Sequence, residues 1–317
     1  MNCRKFHNRS HMLTVLGLTS IAAAGAMIWQ AFLIRSMVSV WTACQAWNWM
    51  IAALLFGLLH AILALPLLHV SPAVTSATAY FATTMLLTPL VTLLGARRPG
   101  IAAWHWFVVL PMVIILQWPA ISQLLGSHGR APIELNAPAI MGVLVVLVMS
   151  VGSCVGTGSA AVALCYLSAI LLLLASATGN KLAQFPVTAC APILLLTAMW
   201  IARKNLEGHF TRLRTATTTS QRTQAIGEMF SSLYGFSWTR RVQDRINQFA
   251  PRERWSVRLT ATGFKRLDGA TPTPDELQQP LHAFIWVLTR FVDEKWLRHV
   301  LSAENSNAPS HPAVPPS

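Results

Sequence analysis

Carboxylates are nearly missing from the first two thirds of this chain: of eleven Asp and Glu residues, only Glu134 precedes Arg203. Proton-coupled pumps and transporters usually place ionisable side chains inside the membrane. The scarcity therefore weighs against that class, and against a membrane enzyme that needs a general acid or base. Charge of either sign is also low, at 11% of residues, where a soluble domain carries about 25%. The five cysteines (Cys3, Cys44, Cys154, Cys165, Cys190) are scattered, mostly inside apolar runs, with no CxxC or Cys/His spacing. That pattern argues against a metal site or a disulfide framework and reads as small apolar packing residues. Walker A, HExxH and GxGxxG patterns are absent as well, so no cofactor is implied. Ser153 and Ser159 lack a nucleophile-elbow context and an assignable His partner, which disfavours an intramembrane serine hydrolase.

What is abundant is apolar sequence: 54% of the 317 residues, with a mean hydropathy of +0.49. The organising stretch is 87–111, LTPLVTLLGARRPGIAAWHWFVVLP, in which two apolar runs flank the turn Gly95-Ala96-Arg97-Arg98-Pro99-Gly100. Backbone crossing lipid must satisfy its own hydrogen bonds, so each flank is expected to be a helix. Pro99 and Gly100 then break the chain between them. The result is a membrane hairpin with a cationic tip.

Seven such runs are expected, at about 12–34, 47–70, 75–95, 101–118, 139–155, 157–177 and 185–202. The first comes after Arg4, Lys5 and Arg9 and resembles a signal peptide, but it is long enough to span, so an uncleaved first helix is favoured. Trp41, Trp47 and Trp49 cluster at the start of the second run, where amphipathic rings favour the headgroup level. Pro111 is expected to kink the fourth run, and 122–138, with Arg130 and Glu134, reads as a loop. His60 is the best buried titratable candidate, with His69 and His105 nearer helix ends. A hydrogen-bonded packing histidine is the plainer reading of His60. Gly152 and Gly156 either let two helices approach closely or mark a turn between short helices.

Arg203, Lys204, Arg212 and Arg214 crowd the exit of the last run, which assigns the C-terminal third to the cytoplasm of an inner-membrane protein. Counting back puts Arg97 and Arg98 on that same side. It also puts the basic N-terminus outside, so either the first run does not fully cross or the N-terminus is an exception to the rule. Six or seven crossings both remain open.

Eight Lys and Arg against one carboxylate precede Arg203, and sixteen against ten lie from Arg203 onward. The chain therefore divides into a transmembrane block (1–202), a juxtamembrane helix and linker (203–223), a small basic α-rich domain (224–304) and a disordered Ser/Asn/Pro-rich tail (305–317). In the small domain, Ile226, Met229, Phe230 and Leu233, then Trp238, Val242, Ile246 and Phe249, recur at helical spacing on either side of Gly235. Trp255, Val257, Leu259 and Ala261 alternate with polar residues as one half-buried strand, closed by Asp268-Gly269 and short of a partner that a second copy would supply. Thr273, Pro274 and Glu276 form a capping box that starts the next helix, and Pro280 is expected to interrupt it early. Arg240, Arg241, Arg245 and Arg258 give this domain a basic face. An anionic lipid surface fits it better than nucleic acid, for which no recognisable module is visible.

Two stretches, 87–111 with its Leu-Gly-Ala-Arg-Arg-Pro-Gly turn and 235–264 with Trp238, Arg241-Val242, Arg245, Asn247 and Trp255-Ser256-Val257-Arg258-Leu259, resemble an uncharacterised polytopic membrane-protein family of planctomycete-type bacteria. Arg290-Phe291-Val292 with Trp296 fits the same pattern. About a third of the chain is covered. The resemblance implies no activity and no catalytic residues, but it does imply that the basic helix–strand region is integral to the protein.

The expectation is an all-α polytopic membrane protein of six or seven helices with a small, mostly α cytoplasmic domain containing one short strand. Its expected role is that of an anchor or subunit whose basic domain docks to a partner, to itself or to anionic headgroups, with Arg97, Arg98, Arg240, Arg241, Arg245 and Arg258 as contacts. The alternative is a transporter or channel component using helices broken by Pro111, Pro186 and Pro192.

Overall fold

The computed structural model describes residues 3–98, 100–125, 133, 135, 137–178, 184–260, 263–270 and 272–302. Pro99, the Arg130/Glu134 loop and the tail from Asn305 lie outside them. The chain is a multi-pass helical membrane protein with a small C-terminal region, hereafter the cap. Six helical stretches among the described residues are long and apolar enough to cross a bilayer, the first being Gly17–Met37. They fall on α1 (Cys3–Met37), α2 (Cys44–Leu63), α3 and α4 (Pro72–Met85, Thr88–Leu94), α5 and α6 (Ile101–Trp104, Leu110–Leu125), α7 (Ala137–Cys154) and α8 (Ala160–Ala177). The run at 185–202 opens a further helix, α9 (Gln184–Thr215), which continues past Arg203 as the sequence indicated.

Prolines set the breaks. Pro89 has no N–H to give the Met85 carbonyl, and the Thr88 hydroxyl donates to that oxygen instead at 2.7 Å. The helix is thereby split into α3 and α4. Pro111 is preceded by a π turn, His105–Val109, in which the Leu110 N–H donates to His105 O; such a turn absorbs the register change that a proline imposes. At the hairpin tip, Gly95 lets the Trp104 ring lie directly on the backbone, since a Cβ there would overlap the indole. The indole N–H of Trp104 then donates to Val91 O at 2.9 Å. The phenol of Tyr166 on α8 donates to Leu86 O at 2.6 Å, tying that helix to the α3–α4 break.

The cap begins sooner than the polar linker suggested. Thr218 caps α10 (Thr219–Asn247) through a capping box with Gln221, so the linker is only residues 216–218. At Gly235 (φ 79, ψ 178) α10 kinks, at the glycine that separates the two apolar patterns. Next comes a hairpin, β1 (Val257–Thr260) antiparallel to β2 (Gly263–Arg266), with Val257 opposite Arg266 and Thr260 opposite Gly263. The strand expected to lack a partner therefore finds one immediately downstream, and no second copy is needed to pair it. Asp268-Gly269 closes β2 rather than the first strand.

α11 (Pro274–Leu288) carries the expected capping box from Thr273 and Glu276. Pro280 does not interrupt it: the proline is buried inside the helix. The stripe of Leu277, Phe284, Ile285 and Leu288 buries on the same core, which outweighs one lost backbone bond. α12 (Glu294–Ser302) completes the cap. A single apolar core runs without interruption from Ile34, Trp41 and Met199 among the spans to Ile226, Phe284 and Leu297 in the cap.

Candidate membrane-surface site

The cap sits on one set of helix ends. Residues 38–43, between α1 and α2, contain no glycine or proline and present Val38, Trp41 and Ala43 (0–1% exposed) to it. An apolar turn cannot stay open to water without cost, and here it pairs with the α11–α12 connection as a short piece of sheet. Trp41 bridges Val292 in antiparallel fashion. The Thr42 N–H donates to Phe291 O at 2.7 Å, and the Asp293 N–H donates to Val40 O at 2.9 Å. Trp41 is therefore not the headgroup-level ring expected from its cluster with Trp47 and Trp49. It is sealed under the cap, edge-on to Trp296 at 5.7 Å.

Tyr234 locks the same seam from α10. Its hydroxyl accepts the Ala43 N–H at 3.0 Å, bonds Thr42 Oγ1 at 2.8 Å and donates toward Phe291 O at 3.2 Å. Burial of this phenol pushes its pKa above the ordinary value, so it remains a neutral donor and acceptor. Tyr234→Phe is expected to strand the Ala43 N–H and cost about 1–3 kcal/mol, read as a lower Tm of the full chain in detergent. An unchanged Tm would show that water replaces the phenol.

The second contact is the cationic hairpin tip. Ala96 is fully buried beneath the cap, the Arg98 N–H donates to Arg290 O at 2.8 Å, and the Trp238 indole donates to Leu93 O at 3.2 Å. The third is the α7–α8 turn, where Ser159 Oγ donates to Ser232 O at 2.6 Å and Asn205 Nδ2 on α9 donates to Gly158 O at 2.9 Å. The turns after α1, α4 and α7 and the exit of α9 thus share one face of the helix block.

Around this seam the basic residues divide. The side chains of Arg97 and Arg98 are exposed at the tip. Arg241 lies over the Trp238 ring at 5.1 Å and Arg245 over Phe249 at 5.3 Å, while Arg290 lies over Trp286 at 4.7 Å. Such stacking holds a guanidinium in place without neutralising it. Arg240 pairs with Asp244 at 3.3 Å. Arg258 is exposed on β1, facing Lys265 across the hairpin, and is held by neither a ring nor a carboxylate among the described residues. Sequence reasoning singled out Arg290 only within the resemblance and not as a surface contact; the clue to that role is the Trp286-xxx-Arg290 spacing of one helical turn. It missed exposed Phe236, directly after the kink at Gly235.

Gly152 and Gly156 do not receive a second helix. A Cβ at either would meet nothing within 4 Å, and Gly156 is left-handed (φ 76) in the turn after α7. The close approach at this helix end belongs instead to Gly235, where a Cβ would stand 2.5 Å from Ser153 O. His60 Nδ1 and Thr78 Oγ1 are 3.1 Å apart, joining α2 to α3 as a packing pair. The hydroxyls of Ser153 and Ser159 donate to the carbonyls of Ser150 and Ser232. Among the described residues no three His, Cys, Asp or Glu side chains are placed to hold a metal ion. Compared with known proteins, the chain matches no family, no curated protein and no solved structure.

Proposed function

We propose that this protein is a non-enzymatic membrane anchor whose cap engages the anionic headgroups of the cytoplasmic leaflet through Arg97, Arg98, Arg241, Arg245 and Arg290. One observation carries the reading: the cap is bonded to three turns at one end of the helix block, so its ring-stacked arginines sit where those helices leave the bilayer. Exposed Trp200 near the middle of α9 and Phe236 beside the α7 end supply the apolar partners that favour a headgroup layer. Each cation near an anionic surface contributes about 1 kcal/mol.

The orientation rests on the same grouping. With three turns and the α9 exit on one side, the chain crosses seven times and the N-terminus lies opposite. Arg35, Arg97, Arg98 and all sixteen cations from Arg203 onward then belong to the cap side, against five Lys and Arg in the rest of the sequence. That imbalance favours a cytoplasmic cap, with the N-terminal cations as the exception.

The test reconstitutes the full chain in nanodiscs of phosphatidylcholine with and without phosphatidylglycerol. Retained phosphatidylglycerol is then counted by native mass spectrometry for wild type and for R241Q/R245Q. The double variant is expected to retain anionic lipid roughly 30-fold more weakly, as two cations at about 1 kcal/mol each would give. Equal retention would refute the headgroup reading. A cysteine at Ser220 that labels only from outside the cell would refute the orientation.

A further inference from the structure

Between the membrane helices and the cap lies a cavity of about 380 Å³, within the range of small-molecule sites. Its walls come from the α7–α8 turn, the water-exposed half of α9, α10, the hairpin and α11, so whatever fills it touches both parts of the protein. We infer that this cavity is a binding site for an uncharged ring compound rich in hydroxyls, the chemistry shared by a free sugar and a nucleoside.

The charge on the lining argues for an uncharged occupant. The ionisable groups there are Arg212, Glu228 and His209. Arg212 and Glu228 neutralise one another at 2.6 Å. His209, 7% exposed, has its pKa lowered by burial and further by the neighbouring Arg212, which keeps the imidazole neutral near pH 7. A phosphate or carboxylate entering the cavity would find no spare cation, and burying a charge without a partner is costly.

The polar groups argue for hydroxyls. Two side-chain amides are anchored by their nitrogens, Asn205 to Gly158 O at 2.9 Å and Gln224 to Glu228 Oε1 at 3.0 Å. Their carbonyl oxygens are held in place as acceptors, ready for O–H donors. Gln243 and Ser231 add groups that both give and take. The apolar part of the lining, Phe230, Phe284 and Leu288, is almost wholly buried in the core and forms a closed floor, so recognition would fall to the polar groups above it.

The room for it is made by missing side chains. Gly227, in the interior of α10, lines the cavity and a Cβ there would meet nothing within 4 Å. Glycine in a helix interior costs about 0.5–1 kcal/mol against alanine, and no packing contact at this position explains it.

The test measures the Tm of the full chain in detergent with D-glucose, adenosine, glucose 6-phosphate or inorganic phosphate. Glucose or adenosine is expected to raise Tm in a dose-dependent way, by roughly 2–4 °C at saturation; which of the two acts identifies the ring. The phosphate probes should leave it unmoved. Gly227→Met, which fills the space, should abolish the shift, and Gln243→Leu should weaken it if the methionine variant does not fold. No shift with either neutral probe, an equal or larger shift with the phosphates, or an undiminished shift in both variants would overturn the inference.

Discussion

Trp41→Ala is expected to cost about 3–5 kcal/mol and to release the cap from the membrane helices. Trp41 is fully buried, stands edge-on to Trp296 at 5.7 Å and lies 6.3 Å from Tyr234. Its indole N–H has no hydrogen-bond partner among the described residues, so its contribution is packing. The truncation would leave a cavity at the one place where the α1–α2 turn, α10 and α12 meet. Domains are stable by only about 5–15 kcal/mol in total, and the cap alone by a fraction of that. The measurement is hydrogen exchange of the full chain in detergent. Amides of α11 and α12 should exchange much faster in the variant, while those of α2 and α8 stay protected. Trp41→Phe should fall between the two. Uniform acceleration in every helix would mean that cap and spans unfold as one unit, and no acceleration would mean that Trp41 is not the clamp.

Much of this architecture could be read from the residues. All seven apolar runs fall on helices because lipid allows the backbone few alternatives, although α1 starts well before residue 12 and α2 stops at Leu63 and not near residue 70. The capping box at Thr273 and the break at Gly235 are local chemistry, written in four or five adjacent residues. The continuation of α9 past Arg203 was legible in the absence of any strong breaker before Thr215. Long-range pairing could not be read in this way. Nothing in Ser39-Val40-Trp41-Thr42 identifies Phe291 and Val292 as its partners, because two short segments pair through their backbones and leave no periodic signal. The apolar character of that turn is the one clue in the sequence, and a tryptophan cluster next to a membrane run points equally to the headgroup layer. The strand partner was missed for a similar reason, since Gly263-Phe264-Lys265-Arg266 is too short to show alternation.

The site was legible in its charges and not in its geometry. Arg241 and Arg245 lie on α10 as the helical spacing required, but their rings come from Trp238 and Phe249 at offsets of three and four residues. Those offsets are ordinary in a helix and did not single the pairs out. The polar cavity drew its lining from Gly156 to Leu288, across five parts of the fold, and no linear pattern could have joined them.

Gly235→Ala carries the other large effect, because two costs act at one atom. The backbone there (φ 79, ψ 178) lies in a region open essentially to glycine, where another residue is strained by about 1–3 kcal/mol. The added Cβ would also stand 2.5 Å from Ser153 O and 3.0 Å from Ser153 C, and backbone atoms at the end of α7 cannot swing aside as a flexible side chain can. Either the kink in α10 straightens or the cap lifts from the α7–α8 turn. Lifting breaks the Ser159–Ser232 hydrogen bonds at 2.6 and 3.0 Å and opens the polar cavity at its membrane side. A cysteine pair at Ser159 and Ser232 reports this directly. Oxidation of the full chain should join the two cysteines readily on the wild-type background and poorly when Gly235→Ala is added. Equal cross-linking, with the Tm unchanged, would show that the kink relaxes without moving the cap. Serine at 235 should behave like alanine, because the clash is with the Cβ and not with side-chain bulk.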